Sequence, residues 1–216
     1  MCVIQSPVMP RFSEMSVGEL LSALASPHPT PGGGTAAAIA GAMGAALLMM
    51  VSGLAKSKTD SDDEKAALEA ARHALEPLRT ELMRLADADS DAFDQVMAAY
   101  RRPKATDGDK AARTSAIQTA LRQATVVPLD TLRACAAAMP LAARVAEAGN
   151  RSAASDVGVA VGLLEAAAAG ADANVRINLD GLKDEGFNAN VSSEASRLAA
   201  ETAAAARAAR HALADR

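Results

Sequence analysis

The sequence feature that most constrains the fold is an uncharged apolar stretch that ends at Ala55. It opens at Ser26 with alternating prolines, which disfavour helix, and passes through three glycines into a predicted helix of about six turns. Thr35 is a residue type suited to cap the start of that helix. We predict that this helix is buried by its neighbours or by a second subunit. A membrane span is the less favoured alternative, because Ala and Gly drive insertion weakly and no aromatic belt or basic cluster flanks the stretch.

The composition favours an all-α fold. Half of the 216 residues are hydrophobic but only 2% are aromatic, and alanine is abundant, which is typical of helices rather than strands. We predict a helical bundle with long, kinked helices around the central apolar helix. Residues 1–12 are expected to form a flexible N-terminal arm and residues 13–216 a single domain.

Charge and cysteine content limit the functional classes. The net charge of −4 and a pI near 5.4 argue against nucleic acid as the main partner. Two cysteines are too few for a disulfide framework, and Pro7 and Pro10 stand where a signal peptide needs an apolar run. We therefore expect a cytoplasmic protein.

Capping and stop signals predict the other helices. Ser16 with Glu19 and Ser61 with Glu64 each form a capping-box pattern. Before the central helix we predict a short helix that ends at Ala25 and buries Leu20, Leu21 and Leu24. After it we predict a helix over residues 61–100, kinked at Pro77, and another over 109–148, kinked or split into three at Pro128 and Pro140. Two further helices are predicted, one that begins at Ser152 and one over 189–213.

One carboxylate lies in the apolar stripe of the helix over residues 61–100. The stripe, in steps of three or four residues, consists of Leu78, Leu82, Leu85, Asp89, Phe93, Val96 and Tyr100. An aspartate in such a stripe is paired, hydrogen-bonded, or has a raised pKa that suits it to exchange protons. Asp89 is therefore either a catalytic residue or a structural one satisfied by a neighbouring helix. Asp87, Asp91 and Asp94 fall on other faces, where we expect them to be solvated.

The glycines before the central helix form a second candidate site. Bare amides at a helix start attract anions, so Gly32, Gly33 and Gly34 could cradle a carboxylate or carbonyl of a ligand. The alternative is a tight loop that only lets two helices approach. A phosphate loop is excluded, because alanines stand where Lys-Ser/Thr should follow.

The remaining polar candidates have weaker support. Asp156 lies in a nearly apolar helix but could simply help to start it, and Asn174 and Asn178 share a face but could be caps. Lys56 and Lys58 could hold an anionic tail or be solvated. The three histidines are His28, His73 and His211. They lie far apart and no Glu-x-x-His pair exists, so we predict no metal site.

Five ordered motifs together resemble one family. They are PTPGGGT with its apolar helix, LADADSDAF, the VP of ATVVPL, EAGNRSAASDVGVAV and NVRINLDGL. From about Val17 to Arg210 the chain is similar to the cyclodeaminase domain of the formiminotransferase-cyclodeaminase family, which includes stand-alone methenyltetrahydrofolate cyclohydrolases. The resemblance implies an all-helical, dimer-forming domain that binds folate at or near a subunit interface.

The resemblance also implies site residues. Its catalytic aspartate, followed by two residues and Ala-Phe, falls on Asp89, the residue that the apolar stripe selects. The implied substrate-binding residues are Pro31, Gly32, Gly33, Gly34, Ser155, Asp156, Asn174 and Asn178. The family often has a lysine-rich turn ending in Tyr after the central helix. This chain has KSKTDSDD there, so Lys56 and Lys58 keep part of that role without the Tyr.

The implied reaction is hydrolysis of 5,10-methenyltetrahydrofolate to 10-formyltetrahydrofolate, with no cofactor beyond the tetrahydrofolate carrier. Asp89 would act as general acid and base or as nucleophile. Two alternatives stay open. One is the cyclodeaminase reaction, in which formiminotetrahydrofolate loses ammonia; the stand-alone length favours the cyclohydrolase. The other is a catalytically silent folate-binding or assembly module.

Overall fold

The computed structural model describes residues 11–54 and 61–215, and within these ranges it contains helices and no strand. The helices are α1 Val17–Leu24, α2 Gly33–Gly53, α3 Asp62–Tyr100, α4 Asp107–Ala148, α5 Ala154–Leu179 and α6 Glu185–Ala214. Short 3-10 turns precede α1 and α5, at Phe12–Glu14 and Arg151–Ala153. The predicted all-α bundle of long helices is confirmed.

Local sequence signals set most of the helix ends. The capping boxes at Ser16 and Ser61 are both formed, with backbone and side-chain bonds in each. A third, at Thr106, starts α4 two residues before the predicted position. α4 then runs for 42 residues through Pro128 and Pro140. Of the predicted alternatives for this segment, the single helix is correct and the split into three is wrong.

α2 lies at the centre of the bundle, in contact with α3, α4 and α5. Its backbone comes close to α5 at Gly44, where an added Cβ would lie 2.9 Å from the Ala160 carbonyl oxygen and from Leu164. Seven residues earlier on α2, Ala37 meets Gly170, so the two helices run antiparallel. Small residues therefore let the two backbones come close, which brings the start of α2 beside the end of α5.

Four expectations about exposure and capping are wrong. α1 has no buried residue, and Leu21 is 60% exposed because α1 lies at the periphery of the bundle. The apolar stripe of α3 ends before Tyr100, which is 46% exposed. Asp87 is only 6% exposed, because the 3-10 turn at Phe12–Glu14 covers it. Thr35 does not cap α2, since the N-cap residue is Gly32.

Three segments are long and apolar enough to cross a membrane, judged by length and composition among the described residues. They are α2, α4 and Arg151–Leu179. In the structure these segments pack against one another, and together α2, α4 and α5 supply most of the larger apolar core. The central burial predicted for α2 is thus observed on the sides that face α3, α4 and α5.

Candidate active site

A cavity of about 270 Å³ lies where the proline-containing loop before α2 (residues 26–32), the start of α2, the C-terminal part of α3 and the end of α5 meet. Its lining residues are Pro29, Thr30, Gly32, Gly33, Gly34, Asp89, Phe93, Val96, Ala124, Asn174, Ile177 and Asn178. Asp89 is the ionisable member of this set. The cavity is thus an apolar and amide-lined space with a single carboxylate on its wall.

The absence of a side chain at Gly34 allows α2 to begin directly against Asp89. A Cβ added at Gly34 would lie 2.1 Å from Oδ1 and 2.6 Å from Oδ2 of Asp89, distances that no packing tolerates. A Cβ at Gly33 would meet only the amide nitrogen of Asn174, at 3.9 Å. The tight approach of α2 to α3 therefore explains why residue 34 is a glycine. Gly32 and Gly33, in contrast, leave bare backbone on the cavity wall.

Thr35 holds the other side of the same carboxylate. It is fully buried, and its Oγ1 lies 3.3 Å from Asp89 Oδ2, 3.1 Å from the Ala86 carbonyl oxygen and 3.1 Å from Ser90 Oγ. The sequence interpretation missed Thr35 and Ser90 as site residues. The available signal was their adjacency, since each directly follows a residue predicted to be in the site.

Asp89 is held in an environment that favours its neutral form. Burial raises the pKa of its carboxyl above the ordinary value, and hydrogen bonding from the hydroxyl and backbone amide of Thr35 offsets part of that rise. A half-buried carboxylate with few donors takes up a proton more readily than an exposed one. Among the described residues, its side-chain oxygens have Thr35 as hydrogen-bond donor.

Asn174 and Asn178 are fixed by the backbone around them. The Nδ2 of Asn174 donates to the Gly170 carbonyl at 2.8 Å, and that of Asn178 donates to the Ala124 carbonyl of α4 at 2.7 Å. The amide oxygen of each has no bond to another described residue. The two side chains therefore line the cavity in fixed orientations with an acceptor available to a ligand.

Comparison with known proteins decides the family. The model of the formiminotransferase-cyclodeaminase family matches residues 16–197. The chain belongs to this family. Over 88% of this chain and 91% of that one, it is 45% identical to methenyltetrahydrofolate cyclohydrolase of Methylorubrum extorquens. It is 36% identical to formimidoyltransferase-cyclodeaminase of Sus scrofa, over 79% of this chain and 32% of that protein.

A solved structure shares the fold of this cyclodeaminase-family chain. The crystal structure of formiminotetrahydrofolate cyclodeaminase from Thermotoga maritima superimposes with a TM-score of 0.83 and 31% sequence identity, covering 94% of this chain and 97% of that one. The resemblance inferred from the five motifs is confirmed.

Some residues predicted from the cyclodeaminase-family motifs lie away from the cavity. Pro31 is buried behind the loop and is not a lining residue. Ser155 and Asp156 lie in the first turn of α5, 18 residues before Asn174, which is about 27 Å along a helix. Within one chain, they are therefore not part of the cavity that contains Asp89. Lys56 and Lys58 lie outside the described residues.

A larger hollow, of about 920 Å³, lies between α3 and α4 on another face of α3. It is an open groove lined by alanines and by polar side chains such as Gln95 and Arg102, and it has no carboxylate. Volume alone would favour this groove as a binding site. We assign the chemistry to the smaller cavity, because Asp89 and the residues of the family motifs lie there.

Within residues 11–54 and 61–215, no group of three or more His, Cys, Asp or Glu side chains lies close enough to hold a metal ion. Cys135 packs in the core, where a Cβ at Gly41 would lie 3.1 Å from its sulfur. Burial raises the pKa of the Cys135 thiol to about 12. This thiol is therefore protonated at neutral pH and serves as a core residue.

Proposed function

We propose that the protein hydrolyses 5,10-methenyltetrahydrofolate to 10-formyltetrahydrofolate, with Asp89 as general base and then general acid. The observation that carries the proposal is the cavity with Asp89 as its ionisable lining residue, at the meeting point of three family motifs. The relative that is 45% identical over 91% of its length carries the name of this activity. Water and the folate carrier are the reactants that the proposal needs.

The size of the cavity suits the ring end of a folate. Pockets that enclose whole drug-sized ligands are about 300–1,000 Å³, so a cavity of about 270 Å³ would hold the fused rings and leave the rest of the molecule outside. Phe93 and Val96 supply apolar wall for the ring faces, and Ile177, which is 71% exposed, lies at the mouth. The amide oxygens of Asn174 and Asn178 would accept hydrogen bonds from the ring edge.

The chemistry follows from the charge of the substrate. The methenyl bridge is cationic, so its binding beside Asp89 favours the carboxylate form. The carboxylate takes a proton from water as the water oxygen bonds to the bridge carbon. It then gives that proton to N5 as the bond between the carbon and N5 breaks. The hydroxyl proton of the intermediate leaves to solvent, and the carbon becomes the formyl group on N10.

The decay of methenyltetrahydrofolate absorbance tests the proposal. Because this substrate also hydrolyses unaided, wild-type protein is compared with a protein-free blank and with Asp89→Asn. The matched control is Asp91→Asn, since Asp91 is an exposed carboxylate on the same helix. We expect wild type and Asp91→Asn to be fast, and Asp89→Asn to be slower by about 10²–10⁴-fold, the usual contribution of a general base. Wild type no faster than the blank would overturn the proposal.

The cyclodeaminase reaction is the second candidate, because the superimposed Thermotoga maritima protein is named formiminotetrahydrofolate cyclodeaminase. Ammonia release from formiminotetrahydrofolate, measured with the same four samples, separates the two activities. Release at a rate that exceeds methenyl hydrolysis would replace the cyclohydrolase proposal with this one. If neither substrate reacts, while methenyltetrahydrofolate still binds, the protein is a silent folate-binding module.

We further propose that the protein acts as a homodimer through one face of α5. The exposed residues in steps of three or four along this face are Ser155, Gly158, Gly162, Ala166, Ala169, Ala173 and Ile177. The row has no charge, and a Cβ added at Gly158 or Gly162 would meet nothing within 4 Å. An uncharged row of small residues that reaches the cavity mouth fits a second copy of the same helix, since it allows close backbone approach.

Two-fold pairing of this face would also complete the site. Ser155 and Ile177 lie eleven residues on either side of Ala166. In an antiparallel pair of α5 helices centred there, the first turn of one copy therefore faces the last turns of the other. The Ser155 and Asp156 side chains of each subunit would then approach the cavity of its partner. This arrangement accounts for family-motif residues that lie too far from Asp89 within one chain.

Light scattering tests the dimer, and mixed subunits test the shared site. Gly162→Arg is expected to give monomers. Asp156→Asn is expected to lose activity, as Asp89→Asn does. After unfolding and refolding the two inactive variants together, we expect about a quarter of wild-type activity, because each mixed dimer contains one intact site. A monomeric wild type overturns the dimer, and full activity of Asp156→Asn, or no recovery on mixing, overturns the shared site.

A further inference from the structure

Two buried hydroxyl groups lie behind the carboxylate of Asp89, on the side away from the cavity. Thr35 is fully buried and Ser90 is 5% exposed. Thr35 Oγ1 contacts three oxygens: the Ala86 carbonyl at 3.1 Å, Asp89 Oδ2 at 3.3 Å and Ser90 Oγ at 3.1 Å. No part of this arrangement is needed to cap α2, whose N-cap is Gly32.

Counting protons shows that Thr35 has two alternative bonding states. Its hydroxyl has one proton to donate, and both Ala86 and an ionised Asp89 offer acceptors only. When Asp89 is ionised, the stronger bond is the charge-assisted one to Oδ2, and Ser90 can donate to Thr35. When Asp89 is neutral, the Thr35 proton can turn to the Ala86 carbonyl. The exchange needs rotation of a hydroxyl proton and no movement of heavy atoms.

We propose that Thr35 is a positioning residue that donates to Oδ2 of Asp89 when the carboxylate is ionised and turns to Ala86 when it is protonated. The proposal rests on the proposed function, in which Asp89 passes through both states in one turnover. The bond to Oδ2 fixes the rotation of the carboxylate and leaves Oδ1 as the oxygen that exchanges the proton. Ser90 supports Thr35 by donating to it in the ionised state.

Among the groups around Asp89, Thr35 is the one whose substitution should change the pKa of the Asp89 carboxyl. The residues that face the cavity from the loop, α2, α4 and α5 are Pro29, Thr30, Gly32, Gly33, Gly34, Ala124, Asn174, Ile177 and Asn178, and none of them ionises. On α3, Asp87 is bonded to the 3-10 turn instead, and His28 of the loop is exposed. Burial raises the pKa of Asp89, and Thr35 lowers it, so loss of the hydroxyl should raise this pKa further.

Thr35→Val and Thr35→Ser form the matched pair of variants. Valine keeps the shape and removes the hydroxyl, whereas serine keeps the hydroxyl and removes a methyl group. For Thr35→Val, we expect the acidic limb of the kcat/KM profile to move to higher pH by about one unit, the scale of one hydrogen bond to a carboxylate. We expect kcat to fall by roughly tenfold with little change in KM, because the bond orients the carboxylate and does not contact the substrate. Thr35→Ser should stay close to wild type.

A titration of Asp89 that does not depend on activity separates this inference from the proposed function. Carboxyl carbons of aspartate are labelled with ¹³C, and the Asp89 signal is assigned as the one lost in Asp89→Asn. Its midpoint should move to higher pH in Thr35→Val and stay near wild type in Thr35→Ser, even if methenyltetrahydrofolate is not the substrate. An unchanged midpoint in Thr35→Val, or equal shifts in both variants, would overturn the inference, since the hydroxyl would then have no influence of its own.

Discussion

Asp87 and Asp89 lie two residues apart on α3, yet their surroundings differ in the number of donors. Asp87 is more buried, and it accepts bonds from the Phe12 amide at 2.7 Å, the Ser13 hydroxyl at 2.6 Å and the Ser13 amide at 3.4 Å. Asp89 is half-buried and has Thr35 as its donor. With Asp89 as the proposed reactive group, burial does not by itself identify a reactive carboxylate. A carboxylate becomes reactive where donors are too few to replace the lost water.

The same pair holds the two ends of one segment. The segment runs from Phe12 to Thr35. Asp87 accepts hydrogen bonds from Phe12 and Ser13 at its start, and Asp89 lies against Gly34 and Thr35 at its end. One turn of α3 therefore fixes both the N-terminal turn and the loop that forms the cavity wall. We propose a structural role for Asp87 and a chemical role for Asp89, and substitutions around the two residues test this difference.

Among substitutions of the residues around the two aspartates, the largest effect is expected from Gly34→Ala. The new Cβ would lie within 2.6 Å of both Asp89 oxygens, so the carboxylate or α2 has to move. Misplacement of a catalytic group by about 1 Å costs roughly 10²-fold, and we expect kcat/KM for methenyltetrahydrofolate to fall by about that much. The control is Gly18→Ala on α1, outside the cavity, whose Cβ would meet nothing within 4 Å. Similar activities for the two variants would contradict the fit described for Gly34.

Asp87→Ala is expected to affect stability instead. It removes the acceptor of three bonds from Phe12 and Ser13, and bonds to charged groups contribute about 1.5–3 kcal/mol. We expect the free energy of unfolding in urea to fall by about 2 kcal/mol, with kcat lowered less than about tenfold. The ion pair with Arg11 adds little, since that side chain is 64% exposed. A rate loss as large as that of Asp89→Asn, with unchanged stability, would reverse the two roles.

Sequence reasoning predicted most of the helices and selected Asp89, which lines the smaller cavity, but it could not predict the contacts between distant segments. Capping boxes, stop signals and the period of apolar residues are local, so α1, α3 and most of the other helix ends follow from them. Asp89 stood out because it interrupts an apolar stripe. Asp87 was expected to be solvated, because its partner, the turn at Phe12, is 75 residues away and has no sequence signal. Thr35 was misassigned as a cap, since a threonine after glycines fits that role equally well.

The pH dependence of stability provides a subtler test of the comparison. The folded-state pKa of Asp89 is raised, so folding favours the neutral carboxyl. Wild type and Asp89→Asn should therefore have similar stability below the ordinary aspartate pKa of 3.8. As pH rises through that value and then through the folded-state pKa, wild type should lose stability relative to Asp89→Asn, and the difference should level off above it. The urea midpoints of wild type and Asp89→Asn are measured across this pH range and subtracted at each pH. The subtraction cancels the contribution of the other titratable groups, which are the same in both proteins. A difference that shrinks as pH rises would mean that the fold stabilises the Asp89 carboxylate.

The smallest effect is expected from Ser13→Ala, which removes one of the donors to Asp87 and leaves the backbone amides of Phe12 and Ser13 in place. Because the two backbone donors remain, we expect the free energy of unfolding to fall by about 1 kcal/mol, less than the loss expected for Asp87→Ala, and we expect no change in kcat. In the background of Asp87→Ala the same substitution should cost almost nothing, because its acceptor is already gone. Equal costs in the two backgrounds would mean that Ser13 acts through packing alone, and Asp87 would then depend on backbone donors. The coupling energy between Ser13→Ala and Asp87→Ala in this double-mutant cycle therefore measures how much of the stabilisation at Asp87 comes from a side-chain donor. The rest comes from the backbone amides of the 3-10 turn at Phe12–Glu14.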